Sequence, residues 1–187
     1  MGKVIWLLAG VVVPLILVKI AYAVSTVLVL PKTKGALFVS TSRRKIRAIL
    51  EAVSMSPETR LVDLGCGDGR FLRAAWKRYR VRGEGLEINP WAYFLARLKN
   101  VLFRAPVKVK FKDFLKEDLS KYDVIFCYLF PDLLLELAPK LSQEAREGTV
   151  IISCNFPLPG WAPWKILRED DPIYIYRINR KNGEGRS

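Results

Sequence analysis

The stretch LVDLGCGDGR, residues 61–70, is a short apolar run that ends on Asp63 and gives way to glycines at 65, 67 and 69. Glycine at alternate positions lets a strand turn tightly into a helix and lets the backbone approach a bound molecule closely. A second acid, Glu87 in GLEINP, closes the next apolar run. A carboxylate at the tip of a second strand is placed to accept hydrogen bonds from a ribose diol. Together these features read as a nucleoside-cofactor site at the edge of a parallel sheet.

The spacing narrows the choice of nucleoside. A dinucleotide fingerprint needs its third glycine five residues after the first, whereas here Gly69 falls four after Gly65 and Arg70 takes the fifth place. Asp63 has no duty toward a nicotinamide cofactor but suits one with a cationic amino-acid end. A purely structural turn is the plainer alternative.

Outward from the loop, periodicity lays out an α/β domain. The spacing of Ile46, Ile49, Leu50 and Val53 predicts a helix over 42–54. Strands are expected at 60–64, 81–87, 107–111, 121–129 and 149–154, with helices at 70–80, 90–101 and 131–141. Two short runs, 165–167 and 173–178, read as a closing antiparallel hairpin. Alternating strands and helices predict a Rossmann-like, mainly parallel sheet with helices on both faces. DVIFCYLF, residues 123–130, is continuous enough for a strand covered on both sides.

Composition sets outer limits. The 187 residues suffice for one domain plus an appendage, and the absence of histidine excludes histidine bases and histidine-bound metals. Cys66, Cys127 and Cys154 form no C-x-x-C pair, which disfavours a zinc site or disulfide framework and fits a reducing compartment. The net charge of +13 suggests an anionic partner, nucleic acid or membrane surface; an ordinary basic face is the alternative, and charge alone does not choose.

The first 30 residues favour the membrane. Residues 4–30 are almost wholly apolar and as a helix would extend about 40 Å, against a hydrocarbon core of about 30 Å. Lys19 falls in the last third, from which it can snorkel to the headgroups, and Pro14 is a break that membrane helices tolerate. A cleaved secretory signal ending at Ala21-Tyr22-Ala23 and a helix lying on the membrane or on the domain are the competing readings. Basic residues cluster after the segment (Lys32, Lys34, Arg43, Arg44, Lys45, Arg47), so the following domain is expected to face the cytoplasm. The expected organisation is a transmembrane anchor over 1–30, a linker over 31–41, a catalytic domain over 42–178 and a polar tail over 179–187.

The pattern D-x-G-x-G-x-G closely resembles the first motif of class I S-adenosylmethionine-dependent methyltransferases. GDGR at 67–70, EINPW at 87–91 and NFPLPGW at 155–161 occur in one order that resembles the small membrane-anchored protein-lysine methyltransferases, whose mitochondrial members modify the adenine nucleotide translocase and the ATP synthase c-subunit. The resemblance covers roughly residues 35–178 and departs at Cys66, where a serine is frequent. It implies S-adenosylmethionine as the cofactor, held by Asp63, Gly65, Cys66, Gly67, Gly69, Arg70, Glu87, Asn89 and Trp91. Asp113 and Phe114 of KDF match the acid and aromatic that meet the adenine. For Arg70 a surface role is equally open, and Trp91 either walls the pocket or packs beneath its helix.

The resemblance also implies a lysine acceptor on a membrane protein, beside an anionic membrane surface; a lipid amine, a nucleic acid or a non-catalytic scaffold are the alternatives. Nucleic acid is disfavoured because LFPD at 129–132 stands where base methylation would need N-P-P-Y. The loop Tyr128–Asp132 is placed at the carboxyl edge of the sheet, toward the reacting methyl. Tyr128, Phe130, Phe156 and Trp161 are candidates to line an apolar acceptor pocket, or else pack the core. Tyr128, Pro131 and Asp132 are the candidate catalytic positions; Asp132 either orients the amine or caps the helix that follows. No residue stands out as a general base.

Overall fold

A four-residue strand, LVDL, forms the centre of the molecule because every one of its side chains is buried. This is β1 (Leu61–Leu64), flanked in parallel by β2 (Glu84–Glu87) and β4 (Val124–Cys127). β3 (Lys108–Phe111) lies outside β2, and β5 (Val150–Cys154) outside β4. β7 (Pro172–Arg177) runs antiparallel to β5, with β6 (Lys165–Arg168) at the far edge, so the order is 3-2-1-4-5-7-6. The expected mainly parallel sheet with a C-terminal antiparallel hairpin is therefore found. Lysines alternate along the β3 edge, at 108 and 110, which blunts an otherwise open strand.

This structure, a computed structural model, describes residues 2–29 and 40–179, and within the first helix the side chains of Gly10, 12–25 and Val27. Most of the expected linker, at 31–39, and of the polar tail, at 180–187, lies outside the described residues.

Helices cover both faces of the sheet. α2 (Arg43–Ala52) and α3 (Arg70–Tyr79) bury Ile46, Ile49, Phe71 and Leu72 on one side, where Phe71 stacks on Phe126 at 4.0 Å between ring centroids. α5 (Pro131–Glu144) buries Leu133, Leu134, Leu137 and Leu141 on the other. Ser42 caps α2 by accepting from the Lys45 N–H, a cap type worth about 1 kcal/mol. α4 (Pro90–Leu102) carries proline at its first position, where the missing N–H is harmless. It packs beside α3, with the Arg73 guanidinium donating to Asn100.

The strands are shorter than their apolar runs suggested. β2 begins at Glu84 rather than Val81, and β4 spans Val124–Cys127 rather than 121–129. Burial extends past the ladder: Val81, Tyr122 and Leu129 are buried without being strand residues.

α1 (Gly2–Val29) holds Pro14 within a continuous helix. Its described apolar side chains, among them Val12, Leu15, Leu17 and Ile20, stand exposed. Tyr22 meets Trp91 of α4 edge to face at 6.4 Å. Among the described residues, no helix is long and apolar enough to cross a membrane. The span expected over 1–30 takes in positions 1 and 30 and several side chains outside the described set.

Candidate active site

The chain order reverses on either side of β1, since β1 leads to β2 on one flank and β4 on the other. Loops leaving neighbouring strand ends diverge there and open a crevice. The loop after β1 turns through left-handed backbone at all three glycines, with φ of 73°, 54° and 73° at Gly65, Gly67 and Gly69. A side chain is strained in that region. The loop is tied to β2 by backbone bonds, Gly65 N–H and Cys66 N–H both donating to the Leu86 carbonyl at 2.8 and 3.1 Å. Cys66 is buried beside Gly85, where an added Cβ would fall 2.5 Å from its Sγ. Gly85 therefore makes the room that lets the loop lie against β2.

Glu87 ends β2 and faces back into the loop. Its Oε2 accepts from Gly67 N–H at 2.8 Å, and its Oε1 from Ile88 and Asn89 N–H at 2.9 and 2.8 Å. Burial pushes its carboxyl above the usual range in spite of these three donors. Asp63, also buried, is pushed well up by burial and then by the charges of Glu87 and Asp68. Cys66 shares the environment, and burial raises its thiol so that it stays neutral. Two buried acids that repel one another form a site prepared for a partner bringing hydroxyls and positive charge.

Asp68, which sequence reasoning passed over, anchors the far side of the loop. It is 3% exposed and meets Lys99 at 2.7 Å and Arg70 at 3.0 Å. Burial opposes its ionisation, but hydrogen bonds from Arg70 and Lys99 outweigh that and hold its pKa at about 2. Arg70 is thus committed to Asp68, and its Nη1 also reaches the Thr41 carbonyl at 3.3 Å. Asp68 sits inside the quoted glycine loop, so its position was the available signal.

A second cluster joins Tyr128 and Asn155, both singled out in the sequence, to Lys45, which the sequence marked only as one of several basic residues. Lys45 of α2 is 3% exposed, and its ammonium donates to Asn155 Oδ1 and Asp171 Oδ2, both at 2.5 Å. Asn155 Nδ2 donates to the Tyr128 hydroxyl at 2.7 Å, and the Lys45 ammonium lies 5.3 Å from the Tyr128 ring centre. Asn155 itself is left-handed, at φ 69°, and so turns the chain after β5. Ser153 Oγ donates to the Phe156 carbonyl, and Leu158 N–H to the Tyr176 hydroxyl. The NFPLPGW segment is held at the sheet edge by these bonds.

Asn89 caps α4, accepting from Trp91 and Ala92 N–H. Trp91 packs on Tyr22 and Phe94, on the outer side of α4. Asp113 accepts from Leu115 N–H at the start of a short 3-10 turn, in which Phe114 is buried. That turn directly follows β3, whose Phe111 pairs with Glu87. Pro131 and Asp132 are exposed in the first turn of α5, where Phe130 and not Asp132 holds the cap position. Phe130 faces Phe156 at 6.0 Å, and Trp161 meets Tyr176 edge-on.

The crevice formed by Asp63, Gly65, Cys66, Asp68, Phe126 and Tyr128 measures only about 20 Å³, with Ser40 and Thr41 as one wall. Asp63 and the left-handed glycine turn, with Glu87 bonded across that turn to Gly67 N–H, fit a sulfonium nucleoside, which needs more room than the crevice has here. Asp63, the loop backbone and Glu87 would hold it, Glu87 by the ribose. S-adenosylmethionine supplies an electrophilic methyl group when bound.

Sheet order, glycine turn and paired acids define a class I S-adenosylmethionine-dependent methyltransferase, and comparison with known proteins agrees. Residues 63–165 match the model of the ANTKMT methyltransferase domain. The chain belongs to that family. It is 30% identical over 149 residues to a protein-lysine N-methyltransferase of Saccharolobus islandicus, covering 75% of this chain and 92% of that protein. It is also 30% identical over 167 residues to the Homo sapiens lysine N-methyltransferase of the ATP synthase c-subunit; the match takes in 87% of this chain and 71% of that protein. Among solved structures, an RNA methyltransferase from Salinibacter ruber in complex with S-adenosyl-L-homocysteine superposes with a TM-score of 0.73 at 29% identity, covering 76% of this chain and 95% of that one.

Proposed function

We propose that this enzyme is held at a membrane by α1 and methylates a lysine amine of a membrane protein, with its catalytic domain on the cytoplasmic side. The observation that carries the reading is the Tyr22–Trp91 contact, which joins an apolar helix to the domain four residues beyond Glu87. A donor site so close to an apolar helix reaches targets at the membrane surface. The lysine methyltransferases of Saccharolobus islandicus and Homo sapiens among its relatives support the choice of acceptor.

The chemistry needs little from the protein beyond alignment and a dry pocket. A lysine of pKa about 10.4 costs about 4.6 kcal/mol to deprotonate at neutral pH, and an apolar lining reduces that by disfavouring the ammonium. Phe130, Phe156 and Trp161 furnish such a lining beside Tyr128. Burial raises the Tyr128 hydroxyl above its ordinary range, so it serves as a neutral wall and hydrogen-bonding group rather than a base. Pro131 fixes the start of α5, and the exposed Asp132 meets the incoming ammonium at the mouth. Lys45 keeps Tyr128 and Asn155 in register and stays clear of the acceptor's path.

RNA is the second reading, favoured by the Salinibacter ruber neighbour. Incubating the full chain with tritiated S-adenosylmethionine, membranes and total RNA separates the two. The expected product is methyl-lysine in hydrolysed membrane protein. Label confined to RNA, or extracted into organic solvent as lipid, overturns the assignment.

A further inference from the structure

We propose that the outer surface of α4, with the basic groove beside it, is a membrane-docking face that lays the catalytic domain against an anionic bilayer. The inference rests on the anchored reading above and adds to it a contact that the anchor alone does not require. α4 buries Ala92, Ala96 and Asn100 against the domain. Its opposite side presents Phe94, Leu98, Val101 and Leu102, followed by Phe103, all between 44% and 76% exposed. Spacings of four, three and one residues place the first four within about a third of the helix circumference. Isolated exposed apolar residues need no explanation, but a contiguous stripe of them does.

What covers this stripe is indicated by its two borders. At one end, Trp91 touches Tyr22 of α1, so the stripe continues directly from an exposed apolar helix. Along its side runs a groove of about 800 Å³ between α2, α3 and α4. Seven cationic side chains line it against two carboxylates. One of those, Asp68, is already engaged by Lys99, Arg70 and Arg73. Arg43 and Arg47 of α2 and Lys77 and Arg78 of α3 are the cations these pairs leave over in the groove. Apolar side chains beside a cationic band are what an interfacial helix needs, the first entering the acyl boundary and the second meeting lipid phosphates. Docked this way, the domain is held by two contacts and its orientation to the bilayer is set.

All three cysteines are buried, so a single exposed cysteine can be labelled selectively. In the full chain, Val101→Cys carries an environment-sensitive fluorophore, and Leu135→Cys, exposed on α5, is the control. Retained S-adenosylhomocysteine binding shows that each labelled variant is folded. On phosphatidylcholine vesicles containing phosphatidylserine, the Val101 label is expected to shift to the blue and be quenched by brominated lipid, while the Leu135 label does neither. Each basic residue lost from an anionic surface lowers occupancy about fivefold, so Arg47→Glu with Lys77→Glu should weaken the Val101 response at least about 25-fold while flotation through α1 persists. Flotation with an unmoved Val101 label overturns the docking face and leaves the anchor standing. No flotation at all overturns both. A Val101 label unmoved by vesicles while RNA binds the groove reassigns the face to nucleic acid.

Discussion

Replacing Glu87 by glutamine separates donor binding from folding, because the two carboxylate oxygens carry different loads. Oε1 holds Ile88 and Asn89 N–H, and Oε2 holds Gly67 N–H. Glutamine keeps its carbonyl on the first pair only by turning its NH₂ toward Gly67, donor against donor. The bond lost there, to a charged acceptor, is worth about 1.5–3 kcal/mol. Folding recovers part of this, since burial already pushes the carboxyl above its usual range and a neutral amide escapes that penalty. The melting temperature should therefore move by only a few degrees. Donor binding has no such offset. A ribose diol that meets an amide instead of a carboxylate loses about 1.5–3 kcal/mol, roughly 10- to 150-fold in affinity. Calorimetric titration with S-adenosylhomocysteine reads the loss directly. An affinity within about threefold of wild type, with melting unchanged, would refute the assignment of Glu87 to the ribose.

Three further outcomes follow from the same geometry. Gly85→Ala puts a Cβ 2.5 Å from Cys66 Sγ and 3.0 Å from Leu72, so denaturant unfolding should show a loss of about 1–3 kcal/mol. Adding Cys66→Gly should recover part of that loss. Asp68, held at about 2 against an ordinary 3.8, contributes about 2 kcal/mol of stability that is complete above its unfolded pKa and is lost as pH falls toward 2. Asp68→Asn should flatten that acid limb in melts between those values. Asp63 and Glu87 act with the opposite sign: their raised pKa values make the native protein hold extra protons, so they subtract stability as pH rises above their ordinary range. Lys45→Met leaves Asn155 Oδ1 without its ammonium, and kcat should fall at least about tenfold with S-adenosylhomocysteine affinity nearly unchanged. The reverse pattern in paired kinetics and calorimetry would place Lys45 in donor binding instead.

The donor half of the site was legible because its chemistry is local. Gly65, Gly67 and Gly69 announce a turn by their spacing, and the acid that closes the next apolar run lands opposite because adjacent parallel strands bring their ends together. Strand identities survived for the same reason, while their ends shrank where burial outlasted the ladder, as at Val81 and Leu129. Lys45 was illegible. In the run RRKIR it reads as one more solvated cation, and its burial depends on Asn155 and Asp171, 110 and 126 residues away. Arg70 shows the limit of proximity reasoning: it does lie by the loop, yet its guanidinium is taken by an acid two residues earlier. Trp91, in the EINPW stretch, packs on Tyr22 of α1, and only the tertiary packing of α4 could reveal that.

The most direct measurement is a crystal structure of the full chain with S-adenosylhomocysteine. The expected complex has the ribose hydroxyls on Glu87, the amino-acid end over Asp63 and the Gly65–Gly69 turn, and the sulfur directed toward Tyr128, in a roomier crevice. A nucleoside bound elsewhere, with Glu87 still closed on Gly67, Ile88 and Asn89 and nothing between them and Asp63, would contradict it.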